Sequence, residues 1–340
     1  MRIMVIGGNG FVGRPLSRLL STEHEVCVLD TLRYGALRFT GEELSRLKVV
    51  LGDINDPDEV GAAIAAFRPE AIVHLAAIHY IPECEQDPGL AARVNVAGTV
   101  NLLTACPPGC RFVFASSGAV YKADERPHGE VESIVEPSDI YGFTKLHGEH
   151  YVRYMAALRG FPAVVVRLFN VIGPGETNPH LMPEIVAQLK AGYSRIALGN
   201  LTPKRDYIHV EDAARGFRAA ALAGEVAPGD CVTVNLGTSH AYSVEEVLGR
   251  LRRISGLDFA VASDPARIRA VDRPVLAADI GRIKARFGWE PAWSIDAALA
   301  DLWERPDLST HLTTKYRLDA EPVPLPRAAP LPGIAAAAAP

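Results

Sequence analysis

The chain is expected to be an α/β protein, a doubly wound parallel sheet with a smaller C-terminal lobe, on three observations. A strand-like run, Met1-Arg2-Ile3-Met4-Val5-Ile6, passes directly into a glycine-rich turn and then into an apolar periodic segment. Strand-like and helix-like stretches then alternate to about residue 170, the pattern of parallel strands joined by helical crossovers. Finally, 340 residues with 48% apolar content can bury a large core.

The first turn carries Gly7, Gly10 and Gly13 as G-x-x-G-x-x-G. Missing side chains there let the backbone turn sharply, approach a pyrophosphate and pack the helix on its strand. Gly7, Gly10, Phe11, Val12 and Gly13 are therefore the candidate residues of a Rossmann-type dinucleotide turn. The next strand, Glu25 to Asp30, ends in an acid at the spacing where a carboxylate accepts from both ribose hydroxyls. Asp30 favours NAD over NADP.

Further strands are expected near Leu47 to Gly52, Ala71 to Ala76, Arg111 to Ser116 and Ala163 to Phe169. Helical stretches such as Asp58 to Phe67 and Leu90 to Ala105 separate them. After Asn170 the pattern loosens into Pro and Gly clusters, an amphipathic segment at Pro183 to Ala191, and further pieces to Trp303. The expected division is 1–170 for the dinucleotide, 171–305 mainly for the substrate with some segments returning to the first domain, and 306–340 as an extension. Its end, Pro322 to Pro340, is a Pro/Ala tail with nothing to bury.

A net charge of −5 with interspersed signs gives no broad basic stripe, which argues against nucleic acid and acidic membranes as partners. No apolar run reaches spanning length and no export signal opens the chain, so a cytoplasmic protein is expected. The five cysteines form no Cys-x-x-Cys pair; they read as buried free thiols, and no metal is assigned.

Tyr141-Gly-Phe-Thr-Lys145 sets a phenol and an ammonium four residues apart, on one face of a helix. A cation there favours phenolate and lowers the Tyr pKa, so that Tyr141 can take a hydroxyl proton during carbon oxidation.

Together these features resemble the extended short-chain dehydrogenases/reductases, in particular the NAD-dependent nucleotide-sugar epimerases and dehydratases. The resemblance spans about residues 1 to 303. It rests also on Gly52-Asp53-Ile54, His74-Leu75-Ala76-Ala77, Val94-Asn95-Val96-Ala97-Gly98-Thr99, Ser116-Ser117-Gly118-Ala119-Val120-Tyr121 and Arg167-Leu168-Phe169-Asn170-Val171-Ile172-Gly173-Pro174. Arg205-Asp206-Tyr207-Ile208-His209-Val210 and Phe287-Gly288-Trp289-Glu290-Pro291 complete it.

The resemblance implies roles. Asp53 and Ile54 flank the adenine; Leu75, Ala76, Ala77 and Asn95 accompany Tyr141 and Lys145 beside the cofactor; Ser117 joins Tyr141 and Lys145 as the third catalytic residue. On the substrate side stand His79, Ser117, Asn170, Thr177, Asn178, His180, Arg205 and Arg269, the arginines for a diphosphate. Arg267 and Arg273 compete with Arg269 for that role. His74, within an apolar strand, reads as a core histidine. Relatives that eliminate water follow the catalytic hydroxyl with an Asp-Glu pair, whereas here the positions are Gly118 and Ala119. The implied reaction is 4-epimerisation of a UDP-hexose or UDP-hexuronate through a 4-keto sugar, by a homodimer. Thr177 and Asn178 are placed to donate to a C6 carboxylate. A dehydratase, a 4-keto reductase or a non-catalytic NAD-sensing protein are the alternatives. Lys122, where a Gly is usual, departs from the pattern.

Overall fold

The computed structural model describes residues 1–265 and 273–318; Arg269 and the Pro/Ala tail lie outside the described residues. Six strands come first: β1 (Arg2–Ile6), β2 (Glu25–Asp30), β3 (Leu47–Leu51), β4 (Ala71–His74), β5 (Arg111–Ser117) and β6 (Ala163–Leu168). Then follow β7 (Asn170–Ile172), β8 (Arg195–Leu198), β9 (Lys204–His209), β10 (Cys231–Leu236), β11 (Ala241–Ser243), β12 (Ala260–Ser263) and β13 (Val275–Leu276). Seven of them make one parallel sheet in the order β10-β6-β5-β4-β1-β2-β3. The chain winds outward one way through β2 and β3, then returns to the far side of β1 with β4. The carboxyl ends of β1 and β4 therefore flank the crevice where open α/β sheets hold ligands.

Both faces of this sheet are covered, which is why its strands read as continuous apolar runs. Alternate residues serve opposite cores: Ile3, Val5, Val26 and Val28 pack with Leu16, Leu20 and Phe217, while Met4, Ile6, Cys27 and Leu29 pack with Val60, Ile64, Leu102 and Val152. Burying each such side chain contributes about 1.5–3 kcal/mol, so the two-sided pattern fixes the register.

Two local differences from the sequence reading bear on the site. β4 stops at His74, because the N–H groups of Leu75 and Ala76 both turn to the Ile6 carbonyl, at 2.9 and 3.0 Å. The helical stretch expected from Leu90 to Ala105 is divided into Pro88–Ala92, a wide π turn at Arg93–Ala97, and Gly98–Ala105. The wide turn coincides with Asn95, whose carboxamide is committed to the fold rather than to solvent.

Beyond β6 the chain builds a second layer. β9 pairs with β7, β11 and β13, and β8 pairs with β12. An apolar cluster of Ile185, Val186, Leu189, Val247, Leu251, Leu299 and Leu302 supports it. The helix Val210–Leu222 and β10 rejoin the central sheet, β10 at its edge beside β6. Among the described residues no helix is long and apolar enough to cross a membrane.

Candidate active site

A cavity of about 1220 Å³ runs from the glycine turn, past the carboxyl ends of β4 and β5, to the second layer. One wall, which carries Ser117, Tyr141 and Lys145, is built by the turn after β5 and by the helix Ile140–Arg159. Asp139 caps that helix, its carboxylate accepting the Gly142 N–H at 2.7 Å. Gly142 matters because a Cβ there would stand 2.6 Å from the Ala119 carbonyl oxygen; its absence lets the helix start lie on the turn.

That close approach puts Tyr141 beside Ser117 on the cavity wall, where the Ser117 hydroxyl favours the phenolate. Ser117 also accepts the Ala119 N–H at 3.1 Å, which fixes its hydroxyl. Lys145 is buried one turn along, its Nζ 5.8 Å from the Tyr141 ring centre and 5.1 Å from that of Phe114. Burial lowers the Lys145 ammonium to about 8. Burial also pushes the Tyr141 phenol well above its ordinary value, with the Ser117 hydrogen bond opposing. The lowered Tyr pKa expected from the Tyr-Lys spacing is thus not reached by the chain alone, since desolvation outweighs the lowering effect of the Ser117 hydroxyl.

Ser116, next door, faces the other way. Its hydroxyl donates to Glu149 at 2.5 Å, and Glu149 in turn receives Arg167 through two bonds of 2.8 and 2.7 Å. His74 is a core residue, 1% exposed, with Nε2 2.9 Å from the Thr99 hydroxyl, and burial lowers its pKa to about 3.

The glycine turn fits a dinucleotide. Gly7 has φ +79°, and a Cβ on it would meet the Ala76 N–H at 2.7 Å; a Cβ on Gly13 would lie 2.2 Å from the Gly7 carbonyl oxygen. Phe11, Val12, Asp30, Asp53 and Ile54 line the same end of the cavity, and Leu75, Ala76 and Ala77 continue it. Asp30 is held in place by the N–H groups of Asn9 and Leu32, at 2.9 and 2.8 Å. Asn95 is the exception: buried and off the cavity wall, it binds the Ile78 N–H and carbonyl, each at 2.8 Å, and Thr144 at 3.0 Å. It braces the loop and helix that carry the site.

On the substrate side, His79, Asn170, Thr177, His180 and Arg205 reach the cavity. Asn178 stands behind it, its amide nitrogen 3.2 Å from His79 Nε2. Arg205 Nη1 donates to the carbonyls of Lys204 and Arg273, at 2.9 and 2.7 Å. Lys122 lies off the cavity and pairs with Glu136 at 3.1 Å.

Sequence reasoning missed three contributors, His311, Lys315 and Glu176, and named Arg273 only as a competitor of Arg269. Arg273 enters the cavity, donating to the Ala119 carbonyl and Asp139 at 3.0 Å each. His311 and Lys315 arrive from the helix Thr310–Tyr316, in the stretch expected to be an extension; Lys315 pairs with Glu184 at 2.6 Å. Glu176 is buried in the wall, where its Oε1 accepts the N–H groups of Thr177 and Asn178 at 2.7 and 3.1 Å. Burial works to raise Glu176, but His180, His79 and the Asn178 N–H outweigh it and hold the carboxyl below its ordinary range. The N–H groups of Thr177 and Asn178, two residues read as donors to a sugar carboxylate, are thus spent on a carboxylate the protein supplies itself.

This arrangement matches a known family: the model of the NAD dependent epimerase/dehydratase family fits residues 3–237. The chain belongs to that family. A UDP-glucose 4-epimerase of Streptomyces lividans is 31% identical over 321 residues, covering 89% of this chain and 95% of that protein. A GDP-6-deoxy-D-mannose reductase of Pseudomonas aeruginosa is 27% identical over 316 residues, covering 89% and 97%. Among solved structures, the UDP-glucuronic acid 4-epimerase from Bacillus cereus in complex with UDP-glucuronic acid and NAD matches with a TM-score of 0.79. It is 25% identical and covers 90% of this chain and 98% of that one. NAD is the cofactor of this epimerase/dehydratase-family protein, in keeping with the glycine turn and Asp30.

Proposed function

We propose that the protein interconverts the C4 epimers of a UDP-hexose. The observation that carries this reading is that Ser117, Tyr141 and Lys145 line one cavity, beside a turn that holds Gly118 and Ala119 in place of an acid/base pair. Ser117 holds the sugar O4 and Tyr141 takes its proton, while buried Lys145 supplies positive charge beside the phenol. Bound NAD supplies the redox chemistry, accepting hydride from C4 and giving it back. Between those steps the 4-keto sugar turns about its bond to the diphosphate and presents its other face. Arg205 and Arg273, with Asn170, hold the diphosphate.

Within the UDP-sugars, the buried Glu176 carboxylate favours a neutral hexose over a hexuronate, because two carboxylates in one poorly solvated wall repel. UDP-glucose and UDP-galactose are therefore placed ahead of UDP-glucuronate and UDP-galacturonate. The resemblance to a reductase keeps a 4-keto reductase as the second reading. Residues 1–170 with β10 hold NAD, residues 171–305 mainly hold the nucleotide sugar, and His311 and Lys315 of the extension close its far side. The working unit is a homodimer in the cytoplasm.

The test is direct. Purified protein, in chelating buffer without added cofactor, is incubated separately with UDP-glucose, UDP-glucuronate and UDP-N-acetylglucosamine while the ring protons are followed by NMR. A C4 epimer accumulating from UDP-glucose is expected. Loss of C5 or C6 protons would replace the proposal with dehydration; in a parallel incubation supplied with NADPH and a 4-keto nucleotide sugar, NADPH consumption would replace it with reduction.

A further inference from the structure

A second constellation shares the cavity wall and has no part in hydride transfer. His79 lies on the loop after β4; Glu176 and His180 lie four residues apart on the segment between β7 and the helix Leu181–Lys190. Their ligand atoms all fall within 4.8 Å of one another, with His79 Nε2 3.9 Å from Glu176 Oε1. The two imidazole rings are 5.5 Å apart, centre to centre.

Three atoms that close share a point no more than about 2.8 Å from each, whereas zinc-class bonds to nitrogen and oxygen run about 2.0–2.2 Å. Inward shifts of well under one ångström, within the play of three side-chain rotamers, complete the site. The donor set is also selective. Two imidazoles and one carboxylate suit zinc, ferrous iron or cobalt, whereas magnesium and calcium demand more oxygen ligands. The Glu176 carboxylate is oriented from behind by the Thr177 and Asn178 N–H groups.

We propose that His79, Glu176 and His180 bind one divalent transition-metal ion of the zinc class, fastening the loop after β4 to the segment that follows β7. The carboxylate partly neutralises the ion, and the remaining coordination positions open toward the cavity, so the preference for a neutral hexose belongs to the metal-free protein. This site does not depend on the epimerase reading, because its occupancy is measured without turnover.

The experiment uses the full-length, NAD-loaded protein, stripped with a chelator and titrated with Co²⁺ by visible absorbance, then with Zn²⁺ as competitor. One equivalent of Co²⁺ is expected, without thiolate charge-transfer bands and displaced by Zn²⁺. Glu176→Gln and His180→Ala, checked for folding by circular dichroism, should bind at least about tenfold more weakly. His240→Ala, at an exposed histidine elsewhere, should bind as the parent does. Absence of a one-equivalent Co²⁺ spectrum overturns the site, as does undiminished binding by Glu176→Gln and His180→Ala. If either of these variants fails to fold, His79→Ala is decided by the same criterion.

Discussion

The Arg14 guanidinium donates to the Gly175 carbonyl at 2.5 Å, joining the helix of the glycine turn to a segment 161 residues away that carries Glu176. Arg14 is 4% exposed, and Asp307 accepts from it at 3.4 Å, so one side chain ties three parts of the cavity rim. A hydrogen bond from a charged group of this kind contributes about 1.5–3 kcal/mol. Arg14→Ala should lower the stability from urea unfolding by about 2 kcal/mol and raise KM for the nucleotide sugar more than it weakens NAD. An unchanged midpoint with unchanged KM would show that the tie is idle.

Lys145 gives a pH dependence with a definite sign. Its ammonium is lowered to about 8 by burial, so between pH 8 and its ordinary 10.5 the unfolded chain binds more protons than the folded one. Stability from this group therefore rises with pH across that window. Activity moves the other way, since the charge beside Tyr141 is lost as pH rises through about 8. The profile of kcat should show an alkaline limb near pH 8, and Lys145→Met should keep only about 1% or less of the rate, without that limb. A parent enzyme whose kcat stays level from pH 7 to 10 contradicts the assignment.

The glycine turn admits no Cβ at residue 13. Gly13→Ala forces an atom to within 2.2 Å of the Gly7 carbonyl oxygen, which must move away from the pyrophosphate path. NAD retained through purification should fall at least tenfold, as measured from the absorbance of acid-released nucleotide. Full retention would mean that the turn relaxes without touching the dinucleotide.

The helix Ile140–Arg159 carries a stripe of exposed apolar side chains on the face opposite its buried residues: Phe143, Tyr151, Tyr154 and Leu158, between 44% and 65% exposed. Spacings of eight, three and four residues place them in one row, and a second copy of the same helix covers such a row by two-fold symmetry. Light scattering on the parent should give twice the chain mass, and the Tyr154→Glu, Leu158→Glu pair should halve it. A monomeric parent would remove the dimer from the proposal.

The central sheet was legible because its strands are short apolar runs, covered on both faces and bounded by turns. β2 runs as read, from Glu25 to Asp30. The strand, glycine turn and acid at one end of the cavity were equally legible, since they are local in sequence. What was hidden depends on packing between distant segments. Asn95 looked like a cofactor ligand but turns inward to Ile78 and Thr144. Glu176 carried no sign of burial, because the enclosure comes from His79, 97 residues earlier, and from the Arg14 tie to its neighbour. Arg273, read only as a rival of Arg269, and Lys315, not read at all, reach the cavity across 154 and 131 residues to Ala119 and Glu184. The Tyr141 phenol shows the same limit: residue spacing announced the cation but not the desolvation that opposes it.

The edge position of β10 has a consequence for how the protein is made. β6 has its outer partner only after residue 236 has left the ribosome, and the helix Val210–Leu222 that covers the same face emerges just before it. Until then a nascent chain of some 200 residues presents the open edge Ala163–Leu168, five of whose six residues are buried in the finished fold. Such an edge invites pairing with other chains. A gene fragment cut at the apparent end of the dinucleotide half would keep that edge bare permanently, so aggregation of the truncated product would reflect a missing seventh strand and not a weak first six.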